Sequence, residues 1–244
     1  MSDWDAATYD RIANPQARWG ERLLDRLPLH GAEVVMDAGC GTGRVTERLA
    51  ERLPYGHVVA VDRSPAMLAI ARARLARFGA RITFVEAHLA RLPPLPAVDA
   101  VLSSATFHWV PDHDSLFGSL ARVVRPRGRL AAECGGTGNI ANVVAALARL
   151  GKPELVGVSF PDPDATRRRL HEAGFPHARV WLRPDPVTFE SDAVLHEFLR
   201  AVILHPQLQR MQADEREAFI ATVAAELPER RLDYVRLEID ASRA

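Results

Sequence analysis

The stretch from residue 34 to residue 44, Val-Val-Met-Asp-Ala-Gly-Cys-Gly-Thr-Gly-Arg, constrains the fold more than any other part of the chain. Its apolar start is typical of a strand buried on both faces of a parallel sheet. The three alternate glycines permit a sharp turn with exposed amides, where a Cβ atom would exclude a ligand. Thr42 begins a predicted helix that runs to about Leu53, and the positive N-terminus of a helix favours a polar or anionic group. This order predicts an α/β fold with a ligand at the turn.

The spacing of the glycines separates two kinds of cofactor site. Gly39, Gly41 and Gly43 form G-x-G-x-G, with Asp37 two residues before the first glycine, whereas the dinucleotide fingerprint requires G-x-G-x-x-G. Residues 37–43 instead resemble the glycine motif of the class I S-adenosylmethionine-dependent methyltransferases. The resemblance implies that Asp37 meets the amino group of the cofactor, directly or through water. It also implies that the turn, Cys40 included, packs against the methionine part.

A second predicted strand, residues 57–62, ends in Asp62. A carboxylate accepts two hydrogen bonds from a vicinal diol, and a strand end projects it into the crevice, so we expect Asp62 to bind a ribose. Ser64 and the proline after it are also a good helix start, so Asp62 can serve as the N-terminal acid of that helix as well. Arg63 and Met67 complete this part of the predicted cofactor site.

His88 follows the third predicted strand, residues 81–86, and departs from the family pattern. The resemblance implies an aspartate at this place, in contact with the exocyclic amine of adenine. Two alternatives stay open: a neutral imidazole nitrogen accepts that hydrogen bond, or the backbone around Leu89 performs most of the recognition. We include both residues in the predicted cofactor site.

The fourth predicted strand, residues 98–104, leads into a segment that faces the substrate in the family. Ser104 is a predicted cofactor contact, and His108 and Trp109 are predicted substrate contacts. His108 is also the candidate catalytic base, with a packed loop corner formed by His-Trp before a proline as the alternative that the pattern favours.

The remaining chain is predicted to flank this core within a single domain. Residues 1–29 are expected to form a helical lid, residues 30–150 the cofactor-binding core, and residues 151–244 substrate-cap helices and the last strands. Tyr9 and Trp19 of the lid are candidate substrate contacts, with plain aromatic packing as the alternative. At the end of the chain, Val235, Leu237 and Ile239 alternate with charged residues, as in an antiparallel strand near a sheet edge.

A narrower likeness concerns residues 107–112, Phe-His-Trp-Val-Pro-Asp, and residues 202–210, Val-Ile-Leu-His-Pro-Gln-Leu-Gln-Arg. These segments are similar to the trans-aconitate and juvenile hormone acid methyltransferases, which esterify small carboxylic acids. The likeness adds His205 and Arg210 to the groups that are expected to orient a carboxylate. The fold that the class I methyltransferase resemblance implies is a Rossmann-like, doubly wound, seven-stranded sheet, mostly parallel with one antiparallel strand near the edge, plus a helical cap.

Composition limits the partners. Lys and Arg total 31 and Asp and Glu total 31, which gives a formal charge of zero, so nucleic acid and membranes are not expected partners. Two cysteines are too few for a disulfide framework. No secretory leader is recognisable, so a cytoplasmic location is expected. No metal site is predicted, and a monomer or a homodimer is expected.

The sequence therefore predicts an S-adenosylmethionine-dependent enzyme that methylates an oxygen of a small carboxylic acid. Two alternatives stay open. One is methylation of carbon or nitrogen in a metabolite, and the other is a non-catalytic module that binds S-adenosylmethionine.

Overall fold

A computed structural model describes residues 6–12, 14–152 and 155–244. The first five residues of the predicted lid lie outside this part of the chain. Within it, the α-helices are α1 (Ala6–Ile12), α2 (Asn14–Arg26), α3 (Arg44–Glu51), α4 (Pro65–Leu75), α5 (His113–Val123), α6 (Ala141–Arg149), α7 (Pro163–Glu172), α8 (Asp192–Phe198), α9 (His205–Leu208) and α10 (Arg216–Ala225). The strands are β1 (Val34–Ala38), β2 (His57–Asp62), β3 (Ile82–Glu86), β4 (Val98–Ser104), β5 (Val124–Gly135), β6 (His177–Pro184), β7 (Val187–Thr188), β8 (Arg231–Leu232) and β9 (Val235–Ser242).

The described strands form a seven-stranded sheet in the order β3-β2-β1-β4-β5-β9-β6 and a separate β7-β8 pair. Strands β1 to β5 pair in parallel, and β9 runs antiparallel to both β5 and β6. This arrangement confirms the predicted Rossmann-like sheet with one antiparallel strand near the edge. The strand order reverses between β1 and β4, which opens a crevice at the carboxyl ends of these strands.

Capping residues set the helix starts that position the crevice. Gly43 has a left-handed backbone with φ of 82°, so α3 begins at Arg44 and not at the predicted Thr42. Ser64 accepts a hydrogen bond from the Met67 amide at 3.1 Å and starts α4. Asp112 caps α5, because its carboxylate accepts a hydrogen bond from the Ser115 amide at 2.9 Å.

Strand β9 differs from the expectation based on its alternating pattern. Such a pattern is typical of a strand with one face in water, yet Arg236 and Glu238 are only 1% and 4% exposed. Helix α2 covers this face: the Trp19 ring lies 3.9 Å from the Arg236 guanidinium, and Arg26 forms an ion pair with Glu238. Arg236 and Glu238 are therefore inside the protein.

A second apolar cluster lies beside the sheet and forms the cap. It combines Trp19 of α2 with Ile140 and buried residues of α6, α8, α10 and the π-helical turn Leu199–Ile203. Within the described residues, no helix is long and apolar enough to cross a membrane.

Candidate functional site

The three glycines of the turn have left-handed backbones and different surroundings. A Cβ atom at Gly39 would lie 2.2 Å from the Thr106 hydroxyl, and one at Gly43 would lie 3.0 Å from Leu75 Cδ1. A Cβ atom at Gly41 would meet nothing within 4 Å. Gly39 and Gly43 therefore permit close packing, whereas Gly41 borders open space.

That open space belongs to a cavity of about 690 Å³, called here the glycine-turn cavity. Its lining includes the predicted cofactor residues Gly39, Gly41, Asp62, Arg63, Met67, His88, Leu89 and Ser104. The carboxyl ends of β1, β2, β3 and β4 thus bring six separately predicted residues and the glycine turn to one place.

Asp62 connects the glycine turn to helix α4. One carboxylate oxygen accepts a hydrogen bond from the Gly41 amide at 2.8 Å, and the other accepts one from the Ser64 amide at 2.9 Å. A carboxylate has about four acceptor sites, so each oxygen retains capacity for a ligand. Burial raises the pKa of this carboxyl group, and the two backbone hydrogen bonds oppose that effect.

His88 also lines the glycine-turn cavity, but its ring is partly engaged. Its Nδ1 atom accepts a hydrogen bond from the Ala90 amide at 3.3 Å. Burial, with the charges of Arg63 and Arg91, lowers the pKa of His88. In a neutral ring that accepts at Nδ1, the proton resides on Nε2, which then donates. This geometry favours recognition of an adenine amine by the backbone around Leu89.

A recess next to the turn, the inner recess, is lined by Asp37, Cys40, Thr42 and Arg44 among others. Asp37 is 1% exposed and accepts a hydrogen bond from the Thr46 hydroxyl at 2.6 Å. Burial raises the pKa of Asp37 to about 7, and the bond from Thr46 opposes this shift. An adjacent cationic amine would favour the ionised form.

A third space of about 470 Å³, called the cap cavity, lies between the sheet and the cap. Tyr9 and Ala105 line the cap cavity, the glycine-turn cavity and the inner recess. The three spaces therefore meet at these residues. The predicted substrate residues Tyr9, Trp19, His108 and Trp109 all line the cap cavity.

Arg236 is the main charged group of the cap cavity. Its Nε atom donates to Glu133 Oε2 at 2.7 Å, and both side chains are 1% exposed. Among the described residues, three polar atoms at this cavity lack a hydrogen-bond partner: Arg236 Nη2, Tyr234 OH and Gln16 Oε1. Buried polar atoms without partners are costly, so this group of atoms is suited to a polar ligand.

His108 is half-buried and lies in the wall of the cap cavity. Burial and the charge of Arg236 hold the pKa of His108 well below its usual range. Its Nδ1 atom accepts a hydrogen bond from the Gly135 amide at 3.3 Å. The neutral ring then presents Nε2–H to its surroundings, which makes it a hydrogen-bond donor.

Two predicted substrate residues, His205 and Arg210, lie outside the three spaces. His205 begins α9 and Arg210 is exposed beyond it, and neither lines the cavities described above. The π-helical turn before α9 places Val202 and Ile203 at the cap cavity instead.

Sequence reasoning missed Gln16, Glu133, Tyr234 and Arg236. Gln16 lies in α2 and Glu133 near the end of β5. Tyr234 comes directly before β9, and Arg236 is its second residue. The alternation of charged and apolar residues in β9 gave no sequence indication of a buried arginine, because the burial of Arg236 depends on the packing of α2.

Comparisons with known proteins show the family. The family model described as a methyltransferase domain matches residues 35–128. A trans-aconitate 2-methyltransferase of Methylobacterium nodulans is 33% identical over 242 residues, covering 94% of this chain and 90% of the relative.

Two solved structures show the same fold. The YcgJ protein of Bacillus subtilis is 16% identical with a TM-score of 0.67, covering 93% of this chain and 98% of that chain. Phosphoethanolamine N-methyltransferase 2 of Haemonchus contortus, solved in complex with phosphomonomethylethanolamine and S-adenosylhomocysteine, is 18% identical with a TM-score of 0.67, covering 98% of this chain and 56% of that chain.

The extent of the match to the Methylobacterium relative, together with the glycine turn and its cavity, identifies the family. The chain belongs to the S-adenosylmethionine-dependent methyltransferases of the trans-aconitate methyltransferase group.

Proposed function

We propose that this enzyme transfers a methyl group to a carboxylate oxygen of a small carboxylic acid held in the cap cavity. The relatives' name makes trans-aconitate one candidate. The observation that carries the proposal is the unpartnered Nη2 atom of the buried Arg236, next to the glycine-turn cavity. Hydrogen bonds between a guanidinium and a carboxylate are among the stronger ones in proteins.

The residues of the glycine turn fit S-adenosylmethionine. The space beside Gly41 is the space that a Cβ atom would fill, and both oxygens of Asp62 can accept further hydrogen bonds from a ribose. Asp37 would meet the amino group in the inner recess, and the apolar side chains of Met67 and Leu89 would border the adenine. When bound, the cofactor supplies an activated methyl group on a sulfonium.

The protein's part in the reaction is mainly positioning. A carboxylic acid is ionised near neutral pH, so its oxygen needs no general base. Arg236, Tyr234 and the Nε2–H group of His108 would hold and orient the carboxylate. Trp109 lines both the glycine-turn cavity and the cap cavity, so it would help to exclude water where they meet. Holding two reactants at near-attack distance supplies a large part of the barrier reduction in such displacements.

The test is a methyl-transfer assay with a panel of carboxylic acids, with methyl esters detected by mass spectrometry. We expect ester and S-adenosylhomocysteine in equal amounts. Titration with S-adenosylhomocysteine in a calorimeter is the control for an intact cofactor site. Tight binding without ester from any acid would contradict the proposal, and turnover of an amine or a carbon acid instead would favour the alternative acceptors.

A further inference from the structure

We infer that the acceptor is a monocarboxylic acid with an apolar body, and that the cap cavity selects against di- and tricarboxylates. This inference rests on the proposed function and names the substrate class of the same site. It goes further than the relatives' name, because trans-aconitate is a tricarboxylate.

The described lining of the cap cavity contains one formally charged side chain. Of the described residues that line it, Arg236 alone carries a formal charge at neutral pH, because the pKa of His108 lies well below its usual range after burial. Tyr234 is neutral as well, since burial raises its pKa. The single cation is already paired with Glu133. The cavity therefore offers donors for one carboxylate and no second cation.

The rest of the cap cavity is mostly apolar. Most of the remaining wall is formed by aromatic and branched aliphatic side chains, among them Ile140, Leu155, Val158, Phe160, Val202 and Ile203. A second carboxylate placed against these side chains would lose its hydration without a partner. The effective cost of burying an unpaired ion is several kcal/mol. An apolar chain or ring in the same place is stabilised by each CH₂ group that it removes from water.

The hydrogen-bond donors of the cap cavity lie together at one end. The partnerless donors are Arg236 Nη2 and Tyr234 OH, and the Arg236 guanidinium packs 3.9 Å from the Trp19 ring and 5.8 Å from the Tyr234 ring. Arg236 and its aromatic neighbours thus form a polar end in a cavity with an otherwise apolar lining. A carboxylate at that end leaves the rest of the acid among the apolar side chains.

The test compares octanoate with octanedioate, which differ by one terminal carboxylate at the same chain length. For the unmodified enzyme with saturating S-adenosylmethionine, we expect kcat/KM for octanoate to exceed that for octanedioate and for trans-aconitate by at least about tenfold. A higher kcat/KM for the di- or tricarboxylate would overturn the inference and leave carboxylate methylation in place. If no acid is methylated but a phenol, alcohol or amine is, the proposed function fails and the inference fails with it.

A variant supplies a second, independent readout. Val158 is half-buried in an irregular segment between α6 and α7. Val158→Arg adds a cation to the apolar wall, so the ratio of kcat/KM for octanedioate to that for octanoate should rise by at least about fivefold. Val158→Gln adds a neutral polar group and should leave the ratio within about twofold. An equal rise in both variants, or no rise with Arg, would contradict the charge argument.

Discussion

Glu133 and Arg236 form a buried ion pair that connects the two cavities of the site. Arg236 Nε donates to Glu133 Oε2 at 2.7 Å. The other oxygen of Glu133 accepts hydrogen bonds from the Ser104 hydroxyl at 2.7 Å and the Ala105 amide at 2.8 Å. Ser104 and Ala105 both line the glycine-turn cavity. Glu133 therefore fixes the Arg236 guanidinium beside the end of β4.

The first prediction concerns Arg236. Arg236→Gln should raise KM for a carboxylic acid about tenfold or more, since hydrogen bonds to charged groups contribute about 1.5–3 kcal/mol, with a smaller effect on kcat. Steady-state kinetics against acid concentration measure this. Arg200→Gln, which removes an exposed arginine paired with Glu217, is the matched control.

Breaking a buried pair also destabilises a protein by about 3–5 kcal/mol, so the single variant can lose its fold. The double variant Glu133→Gln/Arg236→Gln leaves no unpaired charge and keeps hydrogen-bonding groups at both positions. An unchanged KM in this folded double variant would refute the role of Arg236.

The second prediction separates binding from stability within the glycine turn. Gly41→Ala places its methyl group in open space, and Gly43→Ala places it 3.0 Å from Leu75. Both positions have positive φ, so the two variants share a similar backbone penalty of about 1 kcal/mol. We expect Gly41→Ala to weaken S-adenosylhomocysteine binding by at least tenfold, and Gly43→Ala to lower the free energy of unfolding more.

Calorimetric titration and urea denaturation measure the two effects. The opposite order, with tighter cofactor binding in Gly41→Ala than in Gly43→Ala, would show that the cofactor does not occupy the space beside Gly41.

The third prediction concerns Asp62. Asp62→Ala should weaken S-adenosylhomocysteine binding at least tenfold, because the variant loses both ribose acceptors and the contact to the Gly41 amide. Ser64→Ala is the control: it removes the cap of α4 and should cost about 1 kcal/mol of stability with little change in affinity. Equal affinity of Asp62→Ala and the unmodified enzyme would refute the placement of the ribose.

The fourth prediction is a pH dependence from Asp37. Its pKa is raised from 3.8 to about 7 by burial, so between these values the folded protein retains a proton that the unfolded chain has lost. The contribution of Asp37 to the free energy of unfolding therefore falls as the pH rises through this window. The Asp37→Asn variant has no titratable carboxyl group at this position. Its stability relative to the unmodified protein should increase from about pH 5 to about pH 8, as urea denaturation at both pH values would reveal.

Ionisation of Asp37 should strengthen cofactor binding, although it lowers the free energy of unfolding. The ionised carboxylate is the form that attracts an amino group, so the affinity for S-adenosylhomocysteine should rise from about pH 6 to about pH 8. In Asp37→Asn this rise should be absent. A parallel rise in the variant would assign the pH dependence to another group.

The fifth prediction concerns His108. Because its pKa lies well below its usual range and Nδ1 accepts the Gly135 amide, it acts as a neutral donor. His108→Gln should lower kcat/KM for a carboxylic acid by less than about a hundredfold. The pH profile of the rate should keep its shape between about pH 6 and about pH 8. Loss of a limb of that profile in the variant would indicate a general base.

The sequence alone was sufficient for the parts of the site that depend on neighbouring residues. The glycine turn, the strand that ends in Asp62 and the succession of strands and helices along the chain follow from local spacing and hydrophobic pattern, because a strand, a turn and a helix form within a few residues. The antiparallel last strand was also predictable from its alternation and from the family resemblance.

Only the tertiary structure decided which residues line the cap cavity. Arg236 lies in a pattern that indicates an exposed charge, yet helix α2 brings Trp19 over it and Glu133 pairs with it. The predicted His205 and Arg210 remain outside because a π-helical turn presents Val202 and Ile203 instead. The burial of a charge depends on which distant elements pack against it, and that packing has no local sequence pattern.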